Sequence, residues 1–213
     1  MKKVFAIVLI VCLAMTAVFA DKGDFKVGAQ VGVGTENLSI TKDSDNYVKV
    51  SNAGFYFAGT GEYFFSDAFA GKIEFGLNTM GKAKSAGKAL SIAFDNTADD
   101  PSPAMLSAYV GAEYGIELSK TFDLYIGAGW DMMIGKESNA DDAKTNAAMG
   151  LGVELVGALE LQKNLDLTFG VKYGLFFVNT DDDLADAYST FADNDCKVRN
   201  SSFKFFAGIT YSL

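Results

Sequence analysis

Histidine is absent from this chain of 213 residues. Without it no Ser-His or His-Asp constellation can form, so the usual machinery of hydrolytic nucleophiles is excluded and the chain is not expected to be an enzyme. Proline occurs only as Pro101 and Pro103, so β-ladders elsewhere in the chain meet no proline break. Basic residues number 18 against 27 acidic ones, and a net charge of −9 argues against a nucleic-acid partner. Cysteine is limited to Cys12 and Cys196, too few for the disulfide framework of a small exported domain.

The first twenty residues, MKKVFAIVLIVCLAMTAVFA, set Lys2 and Lys3 before an apolar run and place Val18 and Ala20 where signal peptidase accepts small residues. They read as a cleaved secretory signal, 1–20, followed by a single domain, 21–213. An uncleaved anchor competes, because Val4 to Ala20 is just long enough to span a bilayer. A lipoprotein signal ending at Cys12 would have Val11 where a small residue is expected. Cleavage leaves 16 basic residues against 27 acidic, a net charge of −11, and Cys196 as a lone thiol.

Beyond residue 20 no run of eighteen apolar residues occurs, so no transmembrane helix is expected. Alternation with period two dominates instead, the signature of strands with two different faces. DFKVGAQVGVG sets Phe25, Val27, Ala29, Val31 and Val33 against Lys26, Gly28, Gln30, Gly32 and Gly34. The pattern recurs until there are eight such stretches, the last being FKFFAGITYSL, Phe203 to Leu213. Three connections are short, SDA, SKT and QKN, and suit tight hairpins. Four are long and polar, at 35–51, 81–103, 135–146 and 178–200. The fold expected is all-β, an eight-stranded antiparallel up-and-down transmembrane β-barrel with one smooth end and one loop-rich end.

Alternation alone does not say which face is inside. A soluble lipid-binding barrel would turn the apolar set inward, and a membrane barrel would turn it to lipid. The polar face carries thirteen glycines, Gly28, Gly32, Gly76, Gly111, Gly129, Gly150 and Gly174 among them. On a solvated face glycine costs backbone entropy for no gain, whereas in a narrow lumen it makes room for side chains. The apolar runs are about ten residues long, enough for a tilted strand to cross the hydrocarbon. Aromatics gather at both ends of them, Phe25, Tyr63, Phe65, Phe69, Phe122 and Tyr211 by the short turns, Phe55, Trp130, Tyr173, Phe177 and Phe203 by the long loops.

The inward face collects the candidate functional residues, a lumen charge network of Glu62, Lys72, Glu74, Glu113, Asp131, Glu154, Lys172 and Lys204. A hairpin centred on Asp67 sets Glu62 opposite Lys72, and one centred on Lys163 sets Glu154 opposite Lys172, Gly150 opposite Phe176 and Val156 opposite Gly170. Both charged pairs read as lumen salt bridges, since an unpaired charge in a dry lumen is costly. An ion or proton path is the functional alternative. No catalytic, cofactor-binding or metal-binding residue is expected. The acidic stretch with Asp181, Asp182, Asp183, Asp186, Asp193 and Asp195 lacks the ordered ligand spacing and glycine of a calcium loop. In the loops, Lys82, Lys84 and Lys88 are candidates for anionic headgroups or sugars, or serve only to keep the loop soluble, and Phe94, Tyr188 and Phe191 either anchor a partner or fold back over the barrel rim.

Export signal, eight strands, alternating short turns and long loops, and a terminal GITYSL together resemble the small outer-membrane barrels of the OmpA-domain, OmpX and OmpW type. That resemblance implies periplasmic termini, outer-membrane lipids around the barrel, and recognition of Gly208, Tyr211 and Leu213 by the barrel-assembly machinery. It also implies a structural or adhesin-like role through four surface loops, with a host or envelope ligand. A small cation-preferring, porin-like channel is the alternative, since Glu74, Glu113, Asp131 and Glu154 outnumber the mid-lumen lysines. The chain departs from the family pattern in ending on Leu213 rather than Phe and in carrying Phe206 at a position that is usually polar.

Overall fold

The computed structural model describes residues 24–42, 45–80, 84–86, 104–136, 145–179 and 197–213, and every element among them is a strand. The strands are β1 (Phe25–Lys42), β2 (Asp45–Ser66), β3 (Phe69–Met80), β4 (Lys84–Ala86), β5 (Ala104–Ser119), β6 (Phe122–Lys136), β7 (Thr145–Gln162), β8 (Leu165–Asn179) and β9 (Lys197–Ser212). All pairings are antiparallel, and the order β1-β9-β8-β7-β6-β5-β3-β2 closes on itself through β1–β2. Eight strands form the barrel; β4 lies outside the ring and, among the described residues, pairs with Lys49–Ser51 of β2. Residues 1–23 fall outside the described set, as do Cys196, Lys82, Lys88, Phe94, Tyr188, Phe191, Pro101, Pro103 and the aspartates of 181–195.

The apolar set faces outward. Phe75 is 63% exposed and Val153 52%, whereas the inward Lys72 and Glu74 are 2% and 1% exposed. A soluble barrel would invert this pattern, because apolar surface of this extent in water opposes folding. The lipid-binding periplasmic barrel is therefore ruled out. Val153→Arg is expected to cost about 2–4 kcal/mol, as for a cation at the bilayer midplane. Unfolding in lipid vesicles measures it, and an unchanged midpoint would contradict the facing.

The strands are longer than the ten residues that cross the hydrocarbon, and the excess corrects the loop boundaries. Residues 35–51 are not a loop: β1 runs to Lys42 and β2 starts at Asp45, with Leu38 opposite Val50 and Ile40 opposite Val48. These β-branched and apolar positions keep the period of two beyond the membrane, and polar residues between them satisfy the same backbone ladder. The connection at 81–103 contains β4, that at 135–146 shrinks to 137–144, and that at 178–200 shrinks to 180–196.

The three short connections are two-residue turns, Asp67–Ala68, Lys120–Thr121 and Lys163–Asn164. Each is preceded by a register shift that leaves one extra residue on the first strand, Phe65, Leu118 or Leu161. All three extra residues are apolar and exposed, so the bulge sets a hydrophobic side chain at the rim beside every turn. Asn164 takes the left-handed conformation, φ 70°, that such a turn requires and that asparagine tolerates.

Aromatic contacts mark both rims. Phe69 meets Phe65 and Tyr114 at centroid distances of 5.6 and 6.0 Å, and Phe122 stacks on Phe169 at 6.0 Å, on the short-turn side. On the other side Trp130 meets Phe177 at 5.9 Å, and Phe203 meets Phe205 at 5.0 Å. The seam closes where β9 runs beside β1, Val31 opposite Ala207 and Val27 opposite Tyr211. There the Leu213 N–H donates to the Phe25 carbonyl at 2.9 Å.

Candidate functional site

The inward positions of eight strands converge on a space too narrow for a wide aqueous channel. Strand alternation carries Lys26, Gln30, Tyr56, Thr60, Glu62, Lys72, Glu74, Asn78, Tyr109, Glu113, Asp131, Glu154, Lys172, Ser202 and Lys204 into it. Glycines occupy much of the remaining inward surface. Phe206, at the unusual aromatic position, lies between Gly32 on β1 and Gly170 on β8 and packs edge-on against Tyr56 at 6.4 Å. A large ring flanked by two glycines fills the lumen without widening the wall.

Lys72 on β3 is the centre of the charge network. Its Nζ donates to Glu113 Oε1 at 2.9 Å and to Glu154 Oε2 at 3.0 Å. Glu62, its register partner, is only a loose neighbour at 3.9 Å. Lys172 on β8 donates to Glu74 Oε1 at 2.9 Å, with its ammonium 3.7 Å from the Tyr109 ring centroid. β8 and β3 stand four strands apart in either direction around the ring, so this bridge crosses the full width of the lumen.

That geometry corrects one expected ion pair. Glu154 and Lys172 are register partners, but each bonds elsewhere, Glu154 to Lys72 and Lys172 to Glu74. The reason is the other neighbour of Lys172. Lys204 sits directly beside it on β9, and reaching across the barrel separates the two ammonium groups. Lys204 turns over the Tyr56 ring, 4.7 Å from its centroid, and makes no hydrogen bond; both oxygens of Asp131 are likewise without one. These two residues line the lumen without joining the ion-paired group.

A second ion pair escaped the sequence reading. Lys26 bridges Asp166 at 2.9 Å near the short turns, its ammonium over Phe64 at 5.1 Å and Tyr125 at 5.8 Å. Both residues have the inward parity, but only the strand order β1-β9-β8 reveals that a single strand separates them. They border a polar vestibule of about 250 Å³ lined also by Asp24, Lys120, Asp123 and Glu160. Among the described residues no group of three or more potential metal ligands converges. The cation held by Glu113 and Glu154 is the ammonium of Lys72.

Of the residues expected to form a terminal assembly signal, Gly208 faces inward against the Ala29 carbonyl, while Tyr211 and Leu213 point outward at the rim. In chemical terms the arrangement is a cross-braced plug. At mid-height Lys72 and Glu154 have no side-chain exposure, and Glu74 and Lys172 have 1%.

Comparison with known proteins agrees with this architecture. The family model described as "Outer membrane protein beta-barrel domain" matches residues 5–209. No curated protein matches the chain in sequence. Among solved structures, Neisserial surface protein A superposes with a TM-score of 0.56 at 15% identity, over 88% of this chain and 96% of its own. The N-terminal barrel domain of Pseudomonas aeruginosa OprF gives 0.49 at 9% identity, over 90% and 100%. Ail of Yersinia pestis, solved with the heparin analogue sucrose octasulfate, gives 0.45 at 14% identity, over 89% and 99%. At 15% identity the likeness to Neisserial surface protein A is one of fold.

Proposed function

Because this chain belongs to the outer membrane protein beta-barrel domain family, we propose that it serves the bacterial outer membrane as a closed, surface-displaying barrel rather than as a pore. In this reading the termini and the three two-residue turns face the periplasm. The long connections, together with the extended β1–β2 hairpin, stand at the cell surface and supply a structural or adhesin-like contact. Gly208, Tyr211 and Leu213 form the last-strand signal for the barrel-assembly machinery.

The observation that carries the reading is the plug. Two lysines tie together four strands, β3, β5, β7 and β8, and span one full diameter of the lumen through bonds of 2.9–3.0 Å. Moving an ion past them requires those bonds to break between side chains that are at most 2% exposed. Glu74, Glu113 and Glu154 are engaged with lysines rather than open to a substrate, and no catalytic step is part of this reading.

In planar bilayers the purified chain is expected to give no steady unitary current. A reproducible, cation-selective conductance would overturn the closed-barrel reading in favour of a channel lined by Glu74, Glu113, Asp131 and Glu154. Labelling of a tag inserted within 137–144 on intact cells tests the orientation independently. A tag reached only after lysis would reverse it.

A further inference from the structure

Lys204 stands on β9 directly opposite Gly34 of β1. A Cβ at position 34 would lie 3.2 Å from Lys204 Cγ, so glycine there leaves the lysine stem room to lie across the wall. Its ammonium reaches the ring of Tyr56 on β2, 4.7 Å from the centroid, and Asn78 of β3 is the register partner of Tyr56. Lys204 and Asn78 meet at one crevice, bordered also by Gly34, Glu36 and Thr79. Its volume is about 10 Å³, room for the centre of a single water molecule.

Two buried donors face this crevice. Lys204 is 2% exposed and Asn78 6%, and neither Lys204 Nζ nor Asn78 Nδ2 has a hydrogen-bond partner among the described residues. Donors buried in this way lose their hydration uncompensated, which makes a bound molecule the expected partner. Thr79 does not serve, because its hydroxyl accepts from the Phe55 N–H at 3.2 Å. Glu36, two residues beyond Gly34 toward the long loops, brings a carboxylate to the same space. A halide would suit the two donors and be repelled by that carboxylate, and a metal cation would suit the carboxylate and be repelled by the ammonium. Water meets all three, its oxygen accepting from Lys204 and Asn78 while it donates to Glu36.

We propose that the crevice is a binding site for one structural water, held by Lys204, Asn78 and Glu36. The water takes the place of the carboxylate that Lys72 and Lys172 each have, and so holds a third ammonium in the lumen although Lys172 is its neighbour in register. Lys204 and Glu36 become a solvent-separated ion pair. Because the three residues stand on β9, β3 and β1, the bridge also ties together the two sides of the seam where the ring closes.

Crystals of the parent chain, at a resolution that shows ordered waters, are expected to hold a solvent peak within about 2.7–3.2 Å of Lys204 Nζ and of a Glu36 oxygen. A structure without that peak overturns the site. An anomalous bromide signal at the same place after soaking in sodium bromide overturns the water assignment in favour of an anion. In lipid vesicles, the urea midpoints of Asn78→Leu, Lys204→Met and the double variant test the bridge in solution, since the two side chains are not bonded to each other. Each single change is expected to lower the midpoint, and the double variant to unfold close to Lys204→Met, because the water is already lost. Additive shifts overturn the bridge. Thr168→Val removes another buried, unpartnered hydroxyl, near the short turns, and its shift is expected to add to that of Asn78→Leu. An equal coupling in that pair would also overturn the bridge, because no single water spans the two ends of the lumen. Where a variant does not migrate as a folded barrel, the crystal of the parent decides.

Discussion

Lys72→Met is expected to lower the unfolding free energy of the barrel by about 3–5 kcal/mol, the range for removing one member of a buried ion-paired group. Methionine keeps the length of the arm and deletes the ammonium. Glu113 and Glu154 would then face each other without their shared cation, and their side chains are 2% and 0% exposed. Two carboxylates in a dry lumen repel, and neither has a second described lysine within bonding distance. Urea titration of the chain in lipid vesicles, followed by the fluorescence of Trp130, measures the loss. Adding Glu113→Gln and Glu154→Gln to Lys72→Met should restore much of it, since the cost lies in the stranded charges rather than in the missing bonds. A loss under about 1 kcal/mol for Lys72→Met alone would mean that water reaches this level of the lumen.

The same network shows how far sequence reasoning carries and where it stops. Facing was legible, because glycine and charge share one parity while valine, leucine and phenylalanine share the other. Register was legible too: turn centres at Asp67 and Lys163 correctly set Glu62 opposite Lys72 and Glu154 opposite Lys172. Side-chain partnership was not, because it depends on what stands across the barrel. Lys172 finds Glu74 ninety-eight positions away in sequence, and no hairpin rule connects β3 with β8. Lys26 and Asp166 are hidden for the same reason, being neighbours only after β9 has closed the ring.

The end of the first hairpin failed differently. Leu38, Ile40, Val48 and Val50 carry the strand signal, but Thr41, Lys42, Asp43, Ser44, Asp45 and Asn46 interrupt it with turn-forming residues. Of these, Thr41 and Lys42 belong to β1 and Asp45 and Asn46 to β2. A similar oversight concerns Phe206, a departure from the family pattern that the structure explains through Gly32 and Gly170 on either side.

Those glycines set the second large effect. Gly32→Val is expected to cost at least about 3 kcal/mol and to leave most of the chain unable to migrate as a folded barrel on a heat-modifiability gel. A Cβ at position 32 would strike the Phe205 carbonyl oxygen and lie 2.8 Å from the Phe206 Cα. These are backbone atoms of β9, the strand that closes the ring, and they cannot rotate aside as a side chain would. Gly150 meets the carbonyl of Leu175 in the same way, so the constraint recurs on the β7–β8 wall. Gly59 supplies the control. Its Cβ would face outward, with the Gly28 carbonyl 4.0 Å away as its one near contact, and Gly59→Val should fold as the parent does. Strand propensity favours valine over glycine at both sites, so only crowding separates them. Equal folding yields for the two variants would show that the β1–β9 seam can spread to admit a side chain. The plug would then not be what limits the width of the lumen.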